Sequence, residues 1–234
     1  MDIGILWDYN GVLVIDEHLH RQALLNVLEK FDIPKDELLP ALTEYCVGRR
    51  DADCVSDIRK TFREQLANVS QEELLRQTCN EFETIAAEEE IYVPGVERVL
   101  ETFSKIATMG LVTGALKKEI DRTLVPRNLY RFFQSVVTGE SVKRGKPDPE
   151  AYEKGREALG MPARSIVVIE DSPAGIESAH RAGLRCIAVA QTFPSEELSA
   201  AEDVLPTITD LRPQHVTRLL ASSKGCGFLI WKTG

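Results

Sequence analysis

Asp8 closes a short apolar run, residues 3–7, and Asn10-Gly11 follows at once. The run reads as a buried strand and the Asn-Gly pair as a turn, so the carboxylate is delivered to the strand's carboxyl end. A carboxylate in that place can attack phosphorus, form an aspartyl-phosphate and split one displacement into two. It can equally cap its own turn. Three further segments carry the same double reading. Leu111-Val112-Thr113-Gly114 puts a hydroxyl after a strand, with a glycine that lets backbone approach a ligand; the plain alternative is a threonine that ends a strand. Gly145-Lys146-Pro147-Asp148-Pro149 fixes a lysine beside prolines, so it loses little further entropy on clamping a phosphate; the alternative is an exposed loop lysine. Val168-Ile169-Glu170-Asp171-Ser172-Pro173 sets adjacent carboxylates at the mouth of a buried strand, where they repel unless a hard cation is near. Asp171 also suits the N-cap of a helix opening at Pro173.

The elements that must position these groups follow from periodicity. Residues 17–88 carry helical spacing only: Leu24, Leu25, Val27 and Leu28, a turn over 32–36, then Leu38, Leu39 and Leu42, then Ile58, Phe62 and Leu66. Leu74 and Leu75 mark a fourth helix opened at Ser70, with Glu73 completing a capping box. After this bundle Pro94-Gly95 opens a helix bearing Val99, Leu100 and Phe103. Strands ending at Thr113, Gly139, Glu170 and Gln191 then alternate with helices. Such alternation implies right-handed crossovers and a parallel sheet, with ligands outside the carboxyl ends of its strands. All four chemical segments fall there.

In this order, the four segments resemble the haloacid dehalogenase superfamily of hydrolases, subfamily I, over residues 3–220. GKPDPEAY and VVIEDSPAGIESAHRAG are the specific stretches, and TGALKKEI is similar to the sugar-phosphatase and β-phosphoglucomutase-like branch. A receiver domain, which also combines Asp, Thr and Lys around Mg²⁺, would be half as long, with its acidic pair before the phosphorylated Asp. The resemblance implies an α/β fold: a Rossmann-like parallel-sheet core from residues 1–16 and 89–234, with an inserted all-helical cap from residues 17–88. It implies Asp8 as nucleophile and Mg²⁺ ligand, with Asp171 and Glu170 completing the metal site, directly or through water, together with the backbone carbonyl of Asn10. Thr113, Gly114 and Lys146 would hold the phosphoryl group, and His20 and Arg49 would face the substrate from the cap. The activity implied is a Mg²⁺-dependent phosphatase of a small phosphorylated metabolite, a sugar phosphate. A phosphoglucomutase-like transferase would need a second phosphate site, for which Arg49, Arg50 and Arg76 are the candidates.

Asn10 departs from the family pattern, which has an Asp there as general acid and base. An amide can do neither, a loss of about 10²–10⁴-fold for poor leaving groups. Either an active enzyme carries an engineered substitution, or the residue is native and marks a weakened hydrolase or a non-catalytic phosphometabolite-binding protein.

The 234 residues carry 28 Lys and Arg against 37 Asp and Glu, a net charge of −9, which argues against nucleic acid as partner. A phosphate ester stays open, because a metal ion and one lysine reverse the field locally. No apolar run approaches the roughly 20 residues of a membrane span. The N-terminus has Asp2 and Asp8 and no basic stretch, so it reads as a strand and not as a signal. The five cysteines, an odd number without a CxxC pair, read as incidental thiols of a cytoplasmic protein, a monomer or weak dimer. The tail reads as a loop over 222–227 and an edge strand or contact patch over 228–231.

Overall fold

The computed structural model describes residues 2–46, 51–86, 89 and 91–222. Arg49, Arg50, the expected boundary at residue 88 and the apolar end of the tail lie outside the described residues.

Six parallel strands make one sheet in the order β3-β2-β1-β4-β5-β6. They are β1 (Gly4–Trp7), β2 (Thr108–Val112), β3 (Ser135–Val137), β4 (Ile166–Glu170), β5 (Arg185–Val189) and β6 (Asp203–Leu205). β1 pairs with β2 on one side and β4 on the other, so both of its faces and both of its edges are covered. That explains its unbroken apolar run: strands of a parallel sheet with helices on both faces have no side to leave wet. The chain runs from β1 outward to β3 and then crosses back to β4, which puts the reversal of strand order at β1 and β4. Ligands bind at such switch points, beyond the carboxyl ends of the strands. β6 has no counterpart in the sequence reading, being three residues long with mixed exposure.

Between β1 and β2 lie α1 (Glu17–Leu28), α2 (Lys35–Cys46), α3 (Asp51–Thr61) and α4 (Gln71–Ile85), then α5 (Val96–Ser104) under the sheet. Leu28, Leu38, Leu42, Val55, Ile58 and Leu74 are buried in an apolar cluster of their own, built by α1–α4. Leu19, Ala23 and Phe82, near the ends of this insertion, join instead the core cluster that includes Trp7 and Phe103. The inserted helices are therefore held to the sheet by the two helices that enter and leave them.

Two local expectations need correction. Ser70 caps α4 by accepting the Glu73 N–H at 3.0 Å, but the Glu73 carboxylate binds Arg76 at 2.6 Å instead of reaching back. Half the capping box is present, because the guanidinium one turn on competes for the carboxylate. The third helix stops at Thr61, and Phe62 and Leu66 are buried from the turns that follow it. Cys79 and Cys186 form no disulfide, as expected, whereas Cys54 is disulfide-bonded. Spacing could not show that, since a bridge depends on which Cα atoms the fold brings within reach. The Cys46 side chain and Cys226 lie outside the described residues. No described helix is long and apolar enough to cross a membrane.

Candidate active site

The mouth of the sheet is built from strand ends. Asp8 follows β1, its backbone N–H bound to the Ile169 carbonyl of β4 at 2.9 Å. Thr113 follows β2, its N–H bound to Val137 of β3 at 2.9 Å. Glu170 ends β4 and Asp171 follows it. Gly11 makes the turn below Asp8 with φ +76°, and a Cβ there would strike the Asp171 carboxylate and Thr192. Only a residue without a side chain lets the two acidic segments approach so closely.

Carboxylate oxygens of Asp8, Glu170 and Asp171, all buried, lie within 4.8 Å of one another. Lys146 reaches in from the loop before α7 (Glu150–Leu159) and donates to Asp8 and, at 2.5 Å, to Glu170. One ammonium among three carboxylates leaves negative charge uncompensated, and a buried unpaired charge is costly. Accordingly burial pushes the Asp8 carboxyl up to about 7, with Lys146 pulling it down and Glu170 adding to the rise. Burial, then Glu170 and Asp8, raise Asp171 well above the carboxylate range. Burial also works against the Lys146 charge, but Asp8 and Glu170 outweigh it and raise its pKa.

Glu170 differs from the other two. Its Oε1 accepts from Lys146 and from the Tyr152 hydroxyl at 2.7 Å; its Oε2 accepts from the Asp171 and Ser172 N–H groups and the Ser172 hydroxyl. Both oxygens are engaged by the protein, and the carboxyl is held below its usual range, Lys146 overcoming the opposing effect of burial. Glu170 therefore anchors Lys146, while it stays within the buried acidic group of Asp8, Glu170 and Asp171 that could hold a metal ion. Asp8 and Asp171 are the groups whose charge the protein leaves to be met, and an oxygen-only donor set of this kind suits a hard divalent cation.

A cavity of about 200 Å³ opens in front of Asp8, lined by Asn10, His20, Gly114, Lys146 and Asp171. Thr113 stands just behind it, its hydroxyl donating to Asn10 Oδ1 at 3.4 Å and accepting the Ala115 N–H at 2.9 Å. The far wall comes from the inserted helices: Leu24, Leu42, Ala52, Val55 and Leu75, apolar, with Thr78 among them. Glu17, Arg21 and Glu119 complete the rim. Arg76 is not part of this lining; it is exposed and paired with Glu73. Arg49 lies outside the described residues. Sequence reasoning missed Tyr152, although it sits in the GKPDPEAY stretch, and Asp16. The buried Asp16 carboxylate accepts from the Asn10 amide at 2.8 Å.

The family described as haloacid dehalogenase-like hydrolase matches residues 5–189. Validoxylamine A 7'-phosphate phosphatase of Streptomyces hygroscopicus subsp. limoneus is 28% identical over 216 residues, covering 90% of this chain and 96% of that protein. A phosphorylated carbohydrates phosphatase of Thermotoga maritima is 29% identical over 233 residues, covering 86% of this chain and 99% of that one. The crystal structure of β-phosphoglucomutase from Clostridium difficile superposes with a TM-score of 0.78 at 19% identity, covering 94% and 97% of the two chains. That last likeness is one of fold.

Proposed function

Because the chain belongs to the haloacid dehalogenase-like hydrolase family, and is therefore an enzyme, we propose that it is a phosphatase of a small phosphorylated sugar or sugar-like metabolite, working with Mg²⁺ through Asp8. The observation that carries the reading is Asp8 itself, buried at a strand end, bound to Lys146 and facing a metabolite-sized cavity. Relatives of matching length, one named a validoxylamine A 7'-phosphate phosphatase and one a phosphorylated carbohydrates phosphatase, support it.

The residues fit the metal. Asp8 and Asp171, with the Asn10 backbone carbonyl, would hold Mg²⁺, whose charge supplies electrostatic stabilisation of the phosphoryl oxygens. The protein groups do the rest. Asp8 attacks phosphorus and carries the phosphoryl group, and water later releases it. Lys146, held by Glu170, and the Gly114 backbone line the place of the oxygens whose charge must be spread in the transition state, and the Thr113 hydroxyl would reach them by leaving Asn10. The helices of residues 17–88 serve as a cap: closing over the cavity, they exclude water and read the leaving group, with His20 on the substrate side. Their apolar wall suits the carbon face of a sugar or cyclitol. The reading includes a cytoplasmic location and a monomer or weak dimer.

A panel of sugar, polyol and aryl phosphates with and without Mg²⁺ tests the reading. Mg²⁺-dependent release of phosphate, abolished by Asp8→Asn, is expected. Equal turnover by Asp8→Asn would overturn it.

A further inference from the structure

Asp16 occupies the N-cap of α1, where an aspartate ordinarily accepts the N–H of the second or third helical residue, a bond worth about 1 kcal/mol. It makes no such bond, although the residue is buried. Its two oxygens are turned elsewhere. Oδ1 accepts from Asn10 Nδ2 at 2.8 Å, and Oδ2 lies 3.6 Å from His20 Nε2. His20 is one helical turn on, so both side chains share a face of α1. Its ring stacks on Phe82 of α4, centroids 4.0 Å apart and planes 20° from parallel. That stacking fixes the ring while it lines the cavity in front of Asp8.

Resting on the phosphatase reading, we propose that His20 is the proton donor and acceptor of this site, taking the place of the acid that Asn10 cannot provide, with Asp16 as its positioning residue. Asp16 Oδ2 beside Nε2 and the Phe82 ring hold the imidazole in place. Histidine is the side chain whose ordinary titration suits proton exchange near neutrality. In the first step an Asp8 oxygen attacks phosphorus. The phosphorus–ester oxygen bond breaks with its electron pair on the leaving oxygen, and that oxygen takes the proton of His20 Nε2, the nitrogen beside Asp16, since Nδ1 is buried. In the second step water attacks phosphorus and gives its proton to the neutral ring, and the bond from phosphorus to Asp8 breaks with its pair on the carboxylate. The ring returns to imidazolium and the cycle closes.

The arrangement also accounts for the amide. An aspartate at position 10 would set a second carboxylate 2.8 Å from Asp16 Oδ1, where like charges repel. Asn10 is matched to Asp16 as a hydrogen-bond donor, and the proton is carried one residue further along.

The test compares kcat/KM for a sugar phosphate and for p-nitrophenyl phosphate, whose leaving anion needs no proton. His20→Gln should lower the sugar-to-aryl ratio by about 100-fold or more, the general-acid contribution. Asp16→Asn, which leaves the ring in place, should lower the same ratio by about 10-fold, and the two variants do not share a folding risk at one side chain. An unchanged ratio in both variants, with turnover falling equally on both esters, would overturn the proposal and leave the phosphatase reading standing. If the unaltered chain hydrolysed neither ester, both would fall.

Discussion

Gly175 brings its Cα so close to the Glu170 carboxylate that a Cβ there would collide with both carboxylate oxygens. Gly175 stands in the first turn of α8 (Pro173–Arg181), with its N–H bound to the Ser172 hydroxyl at 3.1 Å. The helix therefore packs directly on the group that anchors Lys146. Alanine normally stabilises a helix over glycine by about 1 kcal/mol. Here Gly175→Ala should do the opposite: a lower melting temperature, and kcat/KM reduced about 10–100-fold, the worth of a charged hydrogen bond to Lys146. A thermal melt read beside phosphatase kinetics checks both, and an alanine variant that melts higher with full activity would refute the packing argument.

Metal binding should be linked to pH. Asp8, raised to about 7, and Asp171, raised well above the carboxylate range by burial, hold protons in the folded metal-free protein that an unfolded chain near pKa 3.9 has released. Between about pH 4 and 7 the native state binds more protons, so metal-free stability falls as pH rises across that window. Mg²⁺ needs both groups ionised, so its affinity should rise from pH 6 to pH 8. At a hundredfold excess over Kd it should add about 2.7 kcal/mol of stability. Calorimetric titration at the two pH values, with Asp171→Asn as a variant that loses the gain, measures this.

The cavity wall facing Asp8 should sort substrates by size. Ala52 on α3 lines it and is partly exposed to it. Ala52→Phe should raise KM for a sugar phosphate about tenfold or more through steric exclusion, and change acetyl phosphate far less. Equal effects on the two substrates would place the leaving group elsewhere.

A pH effect unrelated to the site comes from His180, whose Nε2 lies 3.2 Å from Glu202 Oε2. Glu202 raises the His180 pKa by hydrogen bonding, against partial burial. The Glu202 pKa is lowered: burial opposes the shift, but the bonds from His180 and the Cys186 N–H prevail. A raised histidine stabilises below about pH 6.5 and loses that contribution as pH climbs through its folded value. The lowered glutamate contributes above about pH 4.5 and loses it as pH falls. The pair should therefore be worth most near pH 5–6, and less than about 1 kcal/mol given its exposure to solvent. Urea denaturation of His180→Gln should show the larger deficit at pH 5.5 and a smaller one at pH 8.

Much of this molecule was legible as sequence. A parallel sheet ends its strands along one edge, so apolar runs followed by Asp8, Thr113 and Asp171 already implied that those groups meet. The helical spacing of residues 17–88 likewise implied an insertion between the first two strands. What the sequence did not determine was direction. Glu170 and Asp171 are neighbours whose carboxylates both reach the acidic cluster, yet their partners differ. One turns inward, to Tyr152, Ser172 and Lys146, while the other faces Asp8 and the cavity. Adjacent carboxylates thus became an anchor and a candidate ligand, a distinction that composition cannot carry. Asp16 reads as an ordinary helix cap until the chain closes. The turn after Asp8 folds Asn10 back onto the start of α1, where its amide meets Asp16, and Phe82 from α4, far along the chain, fixes the His20 ring beside that carboxylate, a contact that only the folded chain supplies.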